Sequence, residues 1–485
     1  MFTSSTQSYG GTVELPDYIY YNAEIVNNET NDGTANAAIV DPQIRFNETR
    51  DTALIRDSSQ YHFSIVRFTM NGPSLDLPLF IPIIQTGQPD VNLTAYEMAV
   101  SAEQTFSFGT VTATPAIRAI RYVSETQNSR VAPPPRTNIS GLVGPQDIST
   151  RYYWVYTIQH WVDLWNTTML DPAQLGLSPT SATPSTCCAT DTYRAFYTAY
   201  VAAGGLAGDF TTLYPTLGDF VSLLGNFPTL KYDPATNRFS LFGDTRVFGE
   251  QAPVVAPVAP QTSKATFRLW FDTNMFGLFA NFSNYYWNNQ TLNSPTPFPS
   301  PTVAPAGYVN EILFPNKFYT NILDYKTASL APAYVPAAQQ QYYWVAEQDW
   351  LSTSQLWSPI SSIVFCSTLL GVRAEQTGPP NVLGSGDLGN SSAVAPSAFQ
   401  PIITDVAPDL SVSGVDTYKR FIYYAPTAEY RISDFGTSKQ EVRNVDCQIF
   451  WKCRLDSQLY PIQMFNLSSV SIKFMFRHKL AASSK

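Results

Sequence analysis

The sequence predicts an all-β fold that is interrupted once by a helical segment. Two observations predict it: two strand patterns near the C-terminus, and a series of short strand candidates separated by Gly, Pro, Asn and Asp. In 445–453, apolar and polar residues alternate as in a strand with one buried face. A turn leads to 470–476, which repeats the alternation. Phe450 is the one apolar residue on the polar side of the first pattern.

The N-terminal part, to about residue 156, contains only short strand candidates with turns between them. This pattern favours a sandwich or jelly roll over an alternating α/β fold. In 61–70 the apolar phase slips after Ile65, so the sequence predicts a bulge or bend near that residue. The candidate strands are 18–26, 61–70, 77–84, 91–101, 105–112, 116–123 and 152–156.

The pattern changes to helical spacing at about 157–225. Trp161, Val162 and Trp165 recur at intervals of three and four residues, and a second amphipathic stretch covers 193–201 after a possible cap at Asp191. A third short helix is predicted at 216–224. Because aromatic stripes on helices usually pack against a sheet, we interpret this one as packing rather than as a cofactor wall.

Strands resume after residue 225. The segments 229–233 and 238–242 are joined by Pro234 to Asn237 as a predicted hairpin, and 264–271 places alternate aromatic and aliphatic residues inward. The sequence therefore predicts three parts: 1–156 with N-terminal jelly-roll strands, a helical insertion at 157–225, and a C-terminal jelly-roll region at 226–485. The later strand candidates are 308–314, 341–347, 361–370, 399–404, 420–424 and 429–433.

The charge distribution indicates self-association rather than nucleic-acid binding. Charged residues make up 14% of the 485 residues, against about 25% in ordinary soluble proteins, and the net charge is −9. A surface so poor in charge favours contacts with other copies, although a Ser/Thr/Asn/Gln-rich monomer surface is the alternative. The first basic residue is Arg45, so no basic N-terminal arm is present and no strong nucleic-acid binding is expected. Lys473, Arg477, Lys479 and Lys485 are interpreted as a solvated strand edge and tail, or as an interior-facing group.

The residues that carry chemistry are few and scattered. The three histidines, His62, His160 and His478, lie in no catalytic or metal-binding motif, and the Gly-rich loop 384–389 supplies only Asp387. Two carboxylate pairs, Asp405 with Asp409 and Asp446 with Asp456, have the residue type that glycoside hydrolysis requires, but any acidic chain offers such pairs. The sequence therefore predicts no enzyme, no catalytic residue, no cofactor-binding residue and no metal ligand.

The cysteines and the ends of the chain exclude other classes. Five cysteines without ligand spacing argue against a disulfide framework. Cys447 and Cys453 fall on one face of a strand and are predicted to be small buried hydrophobic residues. The N-terminus lacks the pattern of a secretion signal, and no apolar run is long enough for a transmembrane segment, so intracellular synthesis is expected.

Several segments resemble the jelly-roll capsid proteins of icosahedral double-stranded DNA viruses of the Polinton, adintovirus and virophage kind. The resemblance covers about half of the chain discontinuously, and none of the segments is a site signature. It implies a structural protein of the virion that self-assembles into an icosahedral shell together with other capsid proteins. The segments are 59–68, 77–81, 357–365 (WSPISSIVF), 421–431 (FIYYAPTAEYR) and 459–474 (LYPIQMFNLSSVSIKF).

The resemblance leaves the position in the shell open. Double jelly rolls of such families trimerise as major capsid subunits, and the chain length favours this role; single jelly rolls form pentameric penton or minor capsid proteins. Other hypotheses are a carbohydrate-binding β-sandwich, suggested by the Trp-, Tyr- and Asn-rich loop 281–289, and a β-sandwich hydrolase. The predicted subunit interfaces are the N-terminal arm and the Pro-rich stretches 252–262, 294–307 and 377–396.

Overall fold

The fold consists of two compact units, one of which is assembled from both ends of the chain. The first unit contains Met1–Leu77, Pro359–Val412 and Asp416–Lys485, and the second contains Pro78–Ser358 with Ser413–Val415. The computed structural model describes residues 16–27, 43–72, 76–125, 141–142, 144, 146–148, 150–234, 236, 238–244, 247–248, 265–286, 310–314, 318–319, 343–348, 357–372, 402–407, 421–425, 432–435 and 439–479.

Strands dominate both units. Those of the first unit are β1 (Tyr18–Asn27), β2 (Arg45–Thr49), β3 (Tyr61–Asn71), β14 (Ile360–Cys366), β15 (Ile402–Val406), β16 (Phe421–Tyr424), β17 (Ser433–Asp434), β18 (Asn444–Cys453), β19 (Leu459–Pro461) and β20 (Ser468–His478). Those of the second unit are β4 (Leu93–Phe106), β5 (Gly109–Thr112), β6 (Ala116–Arg121), β7 (Thr229–Asp233), β8 (Arg238–Asp244), β9 (Ala265–Phe271), β10 (Asn284–Tyr286), β11 (Asn310–Ile312), β12 (Phe318–Tyr319) and β13 (Tyr343–Glu347).

In the described ranges, five α-helices accompany these strands, all in the second unit. They are α1 (Ile158–Met169), α2 (Cys188–Ala202), α3 (Ala207–Leu213), α4 (Leu217–Leu223) and α5 (Thr273–Leu278). The first four fall within the predicted helical insertion and confirm it. The predicted helix cap at Asp191 is wrong, because α2 begins at Cys188. Asp191 lies in the first turn of this helix, where its Oδ2 lies 2.6 Å from Arg118 Nε.

The first unit has the strand order of a jelly roll. One sheet has the order β1-β20-β3-β16 and the other β15-β14-β18, with β2 also paired to β18. Counted within this unit, the first principal strand pairs with the eighth (β1 with β20), the second with the seventh (β2 with β18), the third with the sixth (β3 with β16) and the fourth with the fifth (β14 with β15). Eight antiparallel strands paired in this way form a jelly roll. The short strands β17 and β19 extend the two sheets.

The core of this jelly roll lies between the two sheets and follows the alternation in the sequence. Phe68 of β3 faces Phe365 of β14 with ring centroids 5.0 Å apart, and both are fully buried. The predicted bulge is confirmed: opposite β20 the register shifts between Ile65 and Arg67, so that Val66 is the extra residue. The two C-terminal strand patterns are also confirmed, but they pair in different sheets, β18 in one and β20 in the other.

The second unit has two antiparallel sheets of different strand order. One runs β10-β11-β9-β4-β5, with β6 also paired to β4, and the other runs β12-β13-β8-β7. The predicted hairpin between β7 and β8 is present. Trp161 and Trp165 of α1 are fully buried, Trp161 against Phe80 and Trp165 against Phe271. Two units with two sheets each are compatible with a double jelly roll, but the jelly-roll strand order described above is that of the first unit.

Two predicted strands are wrong. The segment 77–84 forms only isolated bridges, at Phe80 and Ile84, and 152–156 contains a 3₁₀ turn followed by a bridge at Val155. In the first, prolines at 78 and 82 remove two backbone donors, so a regular ladder cannot form. In the second, Tyr152 and Tyr153 are both buried, and their hydroxyls donate to Asn92 and to the Val91 carbonyl.

The predicted division at 1–156, 157–225 and 226–485 differs from the two compact units. Both predicted boundaries fall inside the second unit, whose own limits are near residues 77 and 358. The difference arises because β1, β2 and β3 pair with strands more than 350 residues further along the chain, and no local pattern encodes such pairing. The three Pro-rich stretches and most of the predicted N-terminal arm lie outside the described residues, as do 429–431 of a predicted strand.

Candidate assembly surfaces

One sheet of the jelly roll carries basic and aromatic side chains on the face that points away from the core. In β20, Ile472, Phe474 and Phe476 are buried, which turns Lys473 and Arg477 to the other side. The register places Arg67 of β3 directly opposite Lys473, and His62 directly opposite Arg477. We call this surface the cationic face; its members are Tyr18, Tyr20, His62, Arg67, Lys473 and Arg477.

The two tyrosines of the cationic face come from β1, at the edge of the sheet. Tyr18 and Tyr20 stack with ring centroids 6.3 Å apart and stay 40% and 53% exposed. The Lys473 ammonium lies 4.7 Å from the ring centroid of Tyr20, and the Arg477 guanidinium carbon lies 5.8 Å from that of Tyr18. These cation–π contacts hold both basic side chains against the strand and leave aromatic surface exposed.

Among the described residues, the carboxylate of Asp434 lies at the His62 end of the cationic face. Asp434 Oδ1 lies 2.6 Å from His62 Nδ1 and 3.6 Å from Lys479 Nζ. Within the described part of the chain, no carboxylate lies within ion-pair distance of Arg67 or Lys473. Two like charges directly opposite in a sheet repel each other, so this pair destabilises the isolated subunit unless an anionic partner neutralises it.

A buried hydroxyl lies on the same side of the sheet. Ser64 of β3 faces Met475 of β20, and both are only 2% exposed. The Ser64 Oγ and the Nε of Arg67 are shielded from solvent and form no hydrogen bond. Buried polar atoms are normally paired, so this part of the cationic face has unused hydrogen-bonding capacity.

The second unit carries an exposed aromatic cluster. At the turn between β4 and β5, Phe106 and Phe108 stack with centroids 5.2 Å apart, and Tyr200 of α2 packs edge-on against both. Phe108 is 39% exposed, and Leu206, just after α2, is exposed as well. The sequence pattern does not show this cluster, because it predicts one strand over 105–112, whereas β4 ends at Phe106 and β5 begins at Gly109.

Of the four carboxylates in the two pairs considered above, Asp446 and Asp456 form local hydrogen bonds. Asp446 is buried in β18 and accepts hydrogen bonds from the Ser367 hydroxyl, from both the N–H and the hydroxyl of Thr368, and from the Leu369 N–H. Burial alone would raise the pKa of Asp446, but these hydrogen bonds outweigh it and hold the pKa below its ordinary value. Asp456 accepts from the Tyr460 hydroxyl at 2.5 Å. Asp405 is exposed on β15, and Asp409 and Asp387 lie outside the described residues.

Each of the three histidines has a polar neighbour, and the cysteines are buried. Besides the His62 pair, His160 Nε2 lies 2.8 Å from the Val123 carbonyl, and His478 Nε2 lies 3.4 Å from the Gln60 side chain. All five cysteines are free thiols and buried. In the described ranges, no three His, Cys, Asp or Glu side chains are grouped so that they could hold a metal ion. No helix in the same ranges is long and apolar enough to cross a membrane.

Phe450, the apolar residue on the polar side of β18, has a structural explanation. With Leu459 of β19, it packs against a separate apolar cluster of Val364, Cys366 and Ile402 on neighbouring strands. Because Val364 and Cys366 alternate with the core residue Phe365 along β14, this cluster lies on the opposite side of the sheet from Phe365. Both sides of this sheet therefore bury apolar surface.

The strand order defines a jelly-roll protein, and one solved structure has a similar overall fold. A chain of the Sputnik virophage, determined by cryo-EM, superimposes with a TM-score of 0.57 over 96% of this chain and 99% of its own length, at 17% sequence identity. The crystal structure of the mavirus penton protein is also similar, with a TM-score of 0.46, 11% identity, and coverage of 95% of this chain and 99% of that one.

The family model gives the particular group within this class. The model described as Sputnik minor capsid protein V18/19 matches residues 19–478, so the chain belongs to that family. No curated protein matches the chain significantly. The predicted resemblance to virophage-type capsid proteins is therefore confirmed, and the chain is a structural component of a virion capsid that assembles with other capsid proteins.

Proposed function

We propose that this chain is a minor capsid protein that forms a pentamer at the vertices of a virophage-type shell. The observation that carries the proposal is the jelly-roll order of the first unit, into which the second unit is inserted between its third and fourth strands, β3 and β14. The insertion accounts for the chain length that had favoured a double jelly roll and a major capsid role. The family description as a minor capsid protein supports the same choice.

The role is structural rather than enzymatic. Among the residues considered for catalysis, Asp446 has its carboxylate oxygens occupied by hydrogen bonds from one turn, and Asp456 is bound to Tyr460. The self-association that follows from the low charge content would supply the function by burying aromatic surface between copies. We expect no strong nucleic-acid binding and no cofactor.

The test is the absolute mass of the full chain in solution by size-exclusion chromatography with light scattering, followed by imaging of the same peak. A pentamer of 53.8 kDa subunits has a mass of about 270 kDa, and a trimer about 160 kDa. A pentamer with fivefold images supports the vertex role. A trimer with pseudo-hexagonal images would transfer the chain to the major capsid role, and a monomer at high concentration would contradict both.

A further inference from the structure

We infer that the cationic face is a contact surface between neighbouring copies in the assembled capsid, and that its partner is a carboxylate-bearing surface of a second copy of this chain. The inference rests on the proposed pentamer and specifies which face of the jelly roll joins its members. In a ring, each subunit contacts its two neighbours through two different surfaces, so a basic surface on one copy has to meet a different surface on the next.

The basic cationic face and the acidic side chains of a second copy are complementary in charge. The chain has 38 acidic and 29 basic residues, so acidic side chains outnumber basic ones on the second copy that would meet this face. Against this background, Arg67 and Lys473 lie directly opposite each other, with no carboxylate of the described residues in ion-pair distance. An arrangement that is unfavourable in the isolated subunit becomes favourable when an anionic group is placed between the two cations.

The cationic side of the sheet also has unused hydrogen-bonding capacity, at Ser64 and Arg67. The Ser64 hydroxyl is withdrawn from solvent without a partner, and so is the Arg67 Nε. A carboxylate accepts hydrogen bonds from a guanidinium, so an Asp or Glu of a neighbour placed against Arg67 would use this capacity.

The exposed tyrosines of the cationic face indicate a protein partner rather than a nucleic acid. Tyr18 and Tyr20 are stacked, exposed and in contact with the two basic residues of β20. Tyr and Arg are enriched in the centres of protein interfaces, where their rings and planar groups bury much area with few rotatable bonds. The tyrosines lie on the edge strand β1, so a neighbour that reaches the basic residues from this side covers them as well.

The experiment compares the full chain with three charge variants, using the concentration at which half of the protein is assembled. Lys473→Glu and Arg67→Glu each reverse one charge of the cationic face. Lys452→Glu makes the same change in net charge on β18, in the other sheet, and is the matched control. We expect each cationic-face variant to raise the half-assembly concentration by at least about tenfold, and the control to change it by less than about threefold.

Folding and salt dependence provide separate measurements. Lys473→Glu places a negative charge opposite Arg67, so its thermal midpoint should equal or exceed that of the unaltered protein, and weaker assembly would not be due to unfolding. Raising the NaCl concentration from about 0.1 M to about 1 M should dissociate the unaltered assembly and change the Lys473→Glu protein less.

The outcomes distinguish this inference from the proposed function. If the unaltered protein is a pentamer whose half-assembly concentration is the same in all three variants, the vertex role stands and the assignment of the cationic face is wrong. If the unaltered protein does not assemble under any condition, both fail. If only the cationic-face variants lose binding to duplex DNA while their mass is unchanged, the face binds the genome instead and the inference is overturned.

Discussion

Replacing Asp446 by Ala should destabilise the jelly roll by a predictable amount. The Asp446 carboxylate joins β18 to the turn that follows β14, through one hydrogen bond from the buried Ser367 hydroxyl and three from Thr368 and Leu369. A hydrogen bond to a charged group contributes about 1.5–3 kcal/mol, and the Ser367 bond is counted in full because Ser367 is buried. Thr368 and Leu369 are exposed, so water can replace much of their contribution.

The expected loss is therefore about 2–4 kcal/mol in the free energy of unfolding of the first unit. It is measured by urea denaturation of the full chain, followed by a probe of the first unit such as Trp451 fluorescence, because the two units can unfold in separate transitions. Asp405→Ala is the matched control, since Asp405 is exposed on β15 of the same sheet, and its change should stay within about 0.5 kcal/mol.

The same variant predicts a pH dependence. The pKa of Asp446 is lowered in the folded protein, so its contribution is present above the unfolded value near 4 and is lost as the pH falls through the folded pKa. The stability difference between the unaltered protein and Asp446→Ala should consequently shrink as the pH falls below about 4. A stability change under about 0.5 kcal/mol at pH 7, or a difference that grows on acidification, would refute the reasoning.

Three further predictions concern packing, capping and thiol reactivity. Trp165→Ala removes a fully buried side chain from the helix–sheet contact of the second unit and should cost about 3–5 kcal/mol in chemical denaturation; a cost below about 1 kcal/mol would mean that the site does not pack as described. Thr216→Ala removes the capping box of α4 and should cost about 0.5–2 kcal/mol, whereas the exposed Thr198→Ala should be near neutral, and equal thermal midpoints for both would contradict the capping role. Burial raises the pKa of Cys366 to about 12, so this thiol should resist alkylation at pH 8 until the protein is denatured, and mass spectrometry showing its fast modification in the native protein would contradict its burial.

The sequence predicts those parts of the fold whose pattern is local. The alternation in β18 and β20, the bulge next to Ile65 and the helical spacing around Trp165 all depend on neighbours within a few residues, and all are confirmed. The segments 77–84 and 152–156 are equally apolar but are not strands. Prolines interrupt the first segment, and the second buries its tyrosines in an irregular conformation. Hydrophobicity predicts burial in such segments, but not backbone conformation.

The candidate surfaces were only partly predictable. The sequence places Lys473 and Arg477 among four basic residues of a strand edge and tail, but the position of Arg67 opposite Lys473 depends on a pairing across about 400 residues of chain. Ser64 has no distinguishing signal in the sequence at all. The turn that ends β4 contains Gly109, whose φ is 140°. This glycine is the signal in the sequence from which the turn, and with it the aromatic cluster at Phe106 and Phe108, could have been found.

The insertion of the second unit between β3 and β14 also sets an order of folding during synthesis. Most of the second unit is continuous, in Pro78–Ser358, so its strands and helices can find their partners while translation continues. The sheet that contains β1 and β3 is different, because both strands pair with β20, at residues 468–478. That sheet stays without β20, the strand between β1 and β3, until residues 468–478 have emerged from the ribosome, so a product that ends before residue 468 lacks the strand that joins β1 to β3.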